Sequence, residues 1–194
     1  MLADATVNSM LDNQFPSGAG NVYLSLHTDY SATGANLHGS KTSANFSAAS
    51  SRSKALSAAV DISVSAGTTI KWIGAWDSTQ AVFRGMWPNG GTDWSFQLDV
   101  ANNRVYVEGS GLANGDKVVF HGDTAPTGLT AGTSYWVVGV TAADPDYFQV
   151  SLTNGGAAID ITGQAGALCT VSKIVEEVYS GAGTHRISTL TITL

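Results

Sequence analysis

Two stretches decide the fold: Thr69–Asp77 (TIKWIGAWD) and Val22–Asp29 (VYLSLHTD). Each is a short strand-like run that ends in polar turn residues. In the first, Ile70, Trp72 and Gly74 read as one face and Lys71, Ile73 and Ala75 as the other, because successive side chains of a strand alternate. Gly74 inside a strand marks a bulge or a close backbone approach. In the second, Val22, Leu24 and Leu26 alternate with Tyr23 and Ser25, the pattern of a strand buried on one face. Residues 82–87 (VFRGMW) read as the hairpin partner of 69–76, closed by a turn at 88–91 (PNGG).

Outward from this pair, residues 3–15 are the one helix candidate. Val7, Met10, Leu11 and Phe15 recur every three to four residues and form an apolar face, and Pro16, Ser17 and Gly18 stop it. Such a short helix must pack on something. Residues 30–53 are rich in Ser, Ala, Thr and Asn and read as a long loop or weak edge strand; 56–64 alternate as a strand. From about 95 to 178 a second set begins. A hairpin spans Phe96–Glu108 around Asn102 and Asn103. Gly111–Phe120 reads as a turn then a strand, and further strands follow at Ser134–Val140, Tyr147–Leu152, Ile159–Ile161 and Leu168–Val175. Strands at this spacing, with Gly, Pro and Asn between them, indicate a sandwich or small barrel. Residues 186–194 (RISTLTITL) alternate again, with one slip near Ser188. The expectation is a mostly β chain: a β-sandwich with a short N-terminal helix, and a second small β-module inserted before the last strand. The sandwich would take 1–94 with 179–194, and the inserted, outward-facing module 95–178.

Composition narrows the function. The chain has 194 residues, enough for one domain or two small ones, and 43% are hydrophobic, so a core can form. Only 12% are charged, about half the usual share of roughly 25%. The net charge is −6, and nine Lys and Arg are scattered singly. Binding along phosphates needs clustered positive charge, so neither nucleic acid nor an anionic membrane is expected as a partner. A single cysteine, Cys169, excludes an internal disulfide and a cysteine metal cage. The first residues, MLADA, lack the basic start and apolar block of a signal peptide, and no apolar run reaches the roughly 20 residues that span a bilayer. Synthesis in the cytoplasm is expected.

Candidate chemistry is thin. His27, Asp29 and His38 are close in sequence but lack metal-ligand spacing. His121, Asp123 and His185 could supply parts of a Ser-His-Asp relay, yet no G-x-S-x-G elbow is present. Glu176 and Glu177 are adjacent, so on a strand they point to opposite faces and cannot flank one glycosidic bond. The aspartates at 116, 123, 144, 146 and 160 fall outside the calcium-loop pattern and suit turns. No catalytic residue, cofactor site or metal site is assigned. Trp72 and Trp76 share a strand face and read as core, whereas Trp87 and Trp94, flanking the 88–91 turn, read as exposed or at a contact.

The residues Leu24–Asp29 with Thr33–Asn36, then Gly67–Asp77, and the closing Ile187–Leu194 resemble a family of small structural proteins of tailed bacteriophage virions, the tail fibre or minor tail proteins. The middle stretches Gly111–Phe120, Gly132–Val138 and Phe148–Ser151 are similar to a β-module of many phage surface proteins. The resemblance covers most of the chain and carries no catalytic residues; usual members are shorter, and the middle module is the departure. It implies a non-enzymatic virion-surface protein, associated with the tail fibre or tip or decorating the capsid, that works through protein–protein assembly. Its partners would be other virion proteins and copies of itself, with a trimer fitting either location, and a host-surface glycan as an outer contact. The helix face (Val7, Met10, Leu11, Phe15) is the expected assembly surface; Trp87 and Trp94 are the expected outer contacts. The alternative is a carbohydrate-binding module or a glycan-degrading enzyme, which a cluster of exposed Trp beside a carboxylate would favour.

Overall fold

The computed structural model describes residues 2–90 and 93–193. Met1, Gly91, Thr92 and Leu194 lie outside the described residues, which takes in Gly91 of the expected 88–91 turn and Leu194 of the expected last strand. The chain is mostly β, with one short helix and several antiparallel sheets. It divides into two compact units, residues 1–87 with 177–194 and residues 88–176. Both boundaries fall slightly earlier than the composition shifts suggest, so Trp94 belongs to the second unit.

The first unit opens with α1 (Asp4–Gln14), followed by β1 (Val22–His27), β2 (Leu37–Ala44), β3 (Ser53–Ala55), β4 (Val60–Val64), β5 (Thr68–Ile70), β6 (Trp72–Asp77) and β7 (Phe83–Pro88). β1, β2, β6 and β7 make one sheet in the order β2-β1-β6-β7. The segment expected to be loop or edge strand is both: a loop over 28–36, then β2 at the sheet edge. After the second unit the chain returns as β15 (Glu177–Tyr179), β16 (Gly183–Ile187) and β17 (Thr191–Thr193), so the single strand expected over 186–194 is divided between β16 and β17. They run antiparallel along β5, β4 and β3 in turn, from Glu177↔Ile70 through Ile187↔Val60 to Thr193↔Ser53. The register slips by one residue between Ile187–Thr191 and Ala55–Val60. A slip of one moves side chains to the other face of a strand. Ile187 and Ile192 are therefore both buried despite opposite parity, and the irregularity near Ser188 in the sequence is this slip.

The core of this unit collects Leu24 and Leu26 of β1, Ile62 of β4, Ile73 and Ala75 of β6, Phe46, and three helix residues. Ile70 also enters this core and is not on the face of Trp72. The strand breaks at Lys71, so β5 pairs with β15 and β6 with β1, and alternation does not carry across the break. Val7, Leu11 and Phe15 form a stripe at i, i+4, i+8, and the Phe15 ring meets Phe46 at 6.1 Å and Trp87 edge-on at 5.9 Å. Met10 is 46% exposed, because the stripe is too narrow to include it. The opposite flank carries Asn8 and Asp12. Asn8 Oδ1 accepts the Arg52 amide at 2.9 Å, and Asp12 Oδ1 accepts the Ala49 amide at 3.0 Å and the Lys54 ammonium. Lys54 is fully buried, and its Nζ also donates to Ser17 Oγ at 3.1 Å. The bond from Lys54, with that from Ala49, holds the Asp12 carboxyl below its usual range. A buried cation held by a carboxylate and a hydroxyl fixes where the helix sits.

The second unit contains β8 (Asp93–Trp94), β9 (Gln97–Asp99), a 3₁₀ turn (Val100–Asn102), β10 (Arg104–Tyr106), β11 (Lys117–His121), β12 (Ser134–Val138), β13 (Tyr147–Ser151) and β14 (Thr170–Lys173). The sheet order is β8-β14-β11-β12-β13-β10-β9. Its two ends are pieces of one segment, since only Ser95 and Phe96 separate β8 from β9. Residues 93–99 thus pair with β14 at one end and β10 at the other, and the sheet closes into a small barrel. Val105, Val118, Phe120, Tyr135, Val137, Phe148, Val150 and Val171 fill it. Asn103, at φ 54°, makes the β9–β10 turn expected there. Residues 159–161 form no strand: the Ile159 amide bonds Val150 O at 2.8 Å and the Ile161 amide bonds Asn103 Oδ1 at 2.9 Å, which satisfies both without a ladder.

The helix stripe gives a direct test. Leu11→Ala should cost about 2–5 kcal/mol, the range for deleting a buried leucine side chain, read as a lower urea midpoint. Met10→Ala should stay within about 0.5 kcal/mol of the parent, as an exposed substitution does.

Candidate functional site

The polar residues of the two defining stretches meet on the face of β1 and β6 turned away from the first unit's core. The strands pair without interruption from Val22↔Asp77 to His27↔Trp72. Leu24, Leu26, Ile73 and Ala75 point into the core, so Ser25, His27, Trp72, Gly74 and Trp76 share the other face. That face is not solvated. Ser25, His27 and Trp72 are completely buried and Trp76 nearly so. The expectation of a strand buried on one face therefore fails for β1, which is buried on both.

A chain of hydrogen bonds crosses this face. Trp76 Nε1–H donates to Ser25 Oγ at 2.7 Å, and Ser25 Oγ lies 2.7 Å from His27 Nε2. His27 Nδ1 lies 2.8 Å from the Ala35 carbonyl, which can only accept. Nδ1 therefore carries the proton, and Nε2 is left to accept the Ser25 hydroxyl. The ring is neutral, and burial pushes its pKa below the ordinary 6.5, with Lys41 acting in the same direction. Gly74 makes room for the ring: a Cβ there would come within 2.5 Å of His27 Nε2 and 2.8 Å of Ser25 Oγ. The close approach that a strand glycine signals is to these two side chains.

The loop 28–36 covers the face. Its ends are joined by the Thr28 amide and Asn36 O at 3.2 Å. Ser31 Oγ accepts the Ala35 amide at 2.9 Å and the Thr33 amide at 3.2 Å, so the loop is tied to itself. Gly34, at φ +77°, seats against Trp76 and Phe83, where a Cβ would meet both rings at 2.6 Å. Tyr30 stands edge-on to Trp72 at 5.2 Å, Trp76 to Phe83 at 5.1 Å, and the Lys41 ammonium lies 3.3 Å from the centre of the Trp76 ring.

The other candidates fall into separate places. No group of three metal-ligating side chains occurs among the described residues. His38 Nε2 accepts the Ser65 amide at 3.2 Å. Among the Ser, His and Asp residues, the second unit brings together a set that the sequence did not single out: Asp93 and Ser172 around His121. Ser172 Oγ–H donates to Asp93 Oδ1, and His121 Nε2 lies 2.6 Å from Ser172 Oγ and 3.2 Å from Asp93 Oδ1. A hydrolytic relay needs the carboxylate on the far ring nitrogen, leaving Nε2 free to take the serine proton. Here serine and carboxylate share Nε2, the serine proton is committed to Asp93, and Ser172 is fully buried. Burial raises the Asp93 pKa, but the bonds from His121 and Ser172 outweigh it and hold the carboxyl below its usual range. Asp123 instead caps its own turn, accepting the Thr124 amide at 2.7 Å. Asp116 accepts the Ala113 amide at 2.9 Å, and Asp146 the Gly109 amide at 2.9 Å.

Glu176 belongs to the second unit, where both its oxygens take the Lys117 ammonium at 2.8 Å. Glu177 belongs to the first unit. It accepts the Tyr179 hydroxyl at 2.6 Å and lies 3.1 Å from His185 Nδ1. Burial and this carboxylate push the Tyr179 phenol up to about 12, and burial holds the His185 pKa below its ordinary value.

Of the expected surfaces, Val7, Leu11 and Phe15 are consumed by their own unit's core, and Met10 alone remains exposed. Trp87 packs on the first unit's core and Trp94 on the second's, each partly buried, because large rings beside a core edge cover it. Trp136 is half-buried, with the Lys117 ammonium 4.5 Å from its ring centre. The second unit also has a pocket of about 220 Å³ beside Phe96, Leu98 and Gln164–Ala167, where the 93–99 segment changes partners. Sequence reasoning gave no signal for it.

Ser25→Ala should cost about 1–3 kcal/mol, since it strands the Trp76 N–H and the His27 Nε2 inside the protein. Gly74→Ala should cost about 1–3 kcal/mol through overpacking. The two act on the same ring, so the double variant should lose less than the sum, and urea denaturation of all three reads this out. No family model, curated protein or solved structure matches the chain.

Proposed function

We propose that this chain is a non-enzymatic structural protein of the bacteriophage virion surface, acting through protein–protein assembly at the tail fibre or tip or as a capsid decoration. One observation carries the reading. Two of the stretches that bear the family resemblance, 24–29 and 67–77, contain each other's strand partners, and their polar side chains bond one another inside the unit. They are spent on building a fold. The insertion supports the same reading, because the first unit has a sealed core of its own and carries a second closed β-unit between β7 and β15. The first unit would be the anchor and the inserted barrel the outward element. The low charge and many small residues suit close packing between copies, and closed symmetry is the default for such assemblies, with a trimer fitting. Other virion proteins would be the neighbours and a host-surface glycan the outer contact.

A glycan-binding or glycan-degrading module is the weaker reading. It calls for exposed Trp rings, whereas Trp72 and Trp76 are buried and the other three are partly so.

Cryo-electron microscopy of virions that encode this chain is the test. Density at capsid symmetry axes makes it a decoration protein. Density at the tail tip or fibre makes the inserted barrel the host-facing element. A chain absent from purified virions overturns the proposal. The anchoring surface is checked separately. Met10→Asp should lower incorporation into particles while leaving the urea midpoint unchanged, whereas Leu11→Asp should unfold the first unit before assembly.

A further inference from the structure

We infer that the loop 28–36 is an acid-released latch, which swings off the outer face of β1, β6 and β7 while the sheet beneath it stays folded. Three features separate the loop from the sheet. First, it is a closed piece of structure: its ends bond each other through Thr28 and Asn36, and Ser31 Oγ ties its middle. Compact surface loops with joined ends, packed by their own side chains, are frequently functional. Most of its residues are exposed, and Gly34 is its one buried residue. Second, its attachments to the sheet include one strong polar tie, His27 Nδ1–H to Ala35 O, and a weak one, the Ser31 amide to Met86 Sδ at 3.4 Å. Gly34 also packs on Trp76 and Phe83, and Tyr30 on Trp72. Third, the sheet has an independent hold. Leu24, Leu26, Ile73 and Ala75 bury its other face in the core, and the β1–β6 ladder contains no loop residue.

Opening is coupled to protons through the ring that holds the latch. When the loop is closed, His27 is fully buried and neutral. β6 offers it only Gly74 and the tryptophans. The charged group that acts on it is Lys41 of β2, a cation, and neither the loop nor β7 supplies a carboxylate bond to it. An imidazolium there has no counter-charge. Lifting the loop admits water and returns the ring toward its ordinary value of 6.5. The sign follows: the open form binds the proton more tightly, so opening is unaffected above about pH 6.5 and grows by up to tenfold per pH unit below it, until the closed form also protonates. The open state presents Trp72, Trp76, Phe83 and Met86 as one apolar face, covered at neutral pH.

Amide hydrogen exchange on the full chain tests the latch, with rates corrected for the intrinsic effect of pH. Between pH 8 and pH 5, protection of 28–36 should be lost progressively, while amides of 72–77 keep theirs. His27→Asn, whose side-chain amide can still donate to Ala35 O but does not titrate, should keep the loop shut at both pH values. Gly34→Ala should open it at both, since the Cβ has no room. Unchanged protection of 28–36 at pH 5, or equal loss in 28–36 and 72–77, overturns the inference. So does a His27→Asn chain that keeps the parent's pH response.

Discussion

The first unit depends on one pairing, β1 with β6, being buried on both sides. A strand pair with one apolar and one polar face needs only a single core. Here the face opposite the core carries a histidine, a serine and two tryptophans, all withdrawn from water. Burying a hydroxyl, an imidazole and an indole N–H without partners would cost several kcal/mol. The cost is reduced because three of these donors meet acceptors in sequence, Trp76 to Ser25, Ser25 to His27, and His27 to Ala35. The last acceptor lies on the covering loop. Cover and sheet are thereby specified together, and Gly74 is the clearance that permits it.

The second constraint is the returning chain. β15, β16 and β17 are two-stranded partners of β5, β4 and β3, so the first unit is complete only when residues 177–193 come back. Long-range pairing of this kind puts a loop-closure cost on folding that the inserted barrel bears on. A segment that folds locally and holds its ends near each other reduces that cost. The barrel is such a segment, since its ladders join residues within 93–173 and it closes through its own strand 93–99.

Much of this was legible in the residues. The helix at 4–14, the strand pattern and the β7 hairpin follow from periodicity and turn chemistry. Gly74 announced a close approach, and the parity change near Ser188 announced the register slip. What stayed hidden has a common physical cause. Ser25 reads as solvent-facing because polarity is a local property, and its burial depends on a loop that folds back over it. The break at Lys71, which puts Ile70 and Trp72 in different layers, leaves no mark on alternation. Met10 fits a three-to-four repeat as well as Leu11 does, and only the narrowness of the contact excludes it. The Asp93, His121 and Ser172 cluster joins residues far apart in sequence, which no spacing rule can find.

The histidines show how the chain uses its few titratable groups. All four have partners inside their own unit: His27 with Ser25 and Ala35, His38 with Ser65, His121 with Asp93 and Ser172, and His185 with Glu177 and Tyr179. A protein with 12% charged residues has few salt bridges to spend on register. His27 does this work with a neutral imidazole, which donates on one side and accepts on the other and so links a strand and a loop directionally. The consequence is a fold whose polar chemistry is turned inward and whose outer surface is poor in charge. Such a surface resists neighbouring copies less than a charged one does, which is the physical basis of the assembly role we propose.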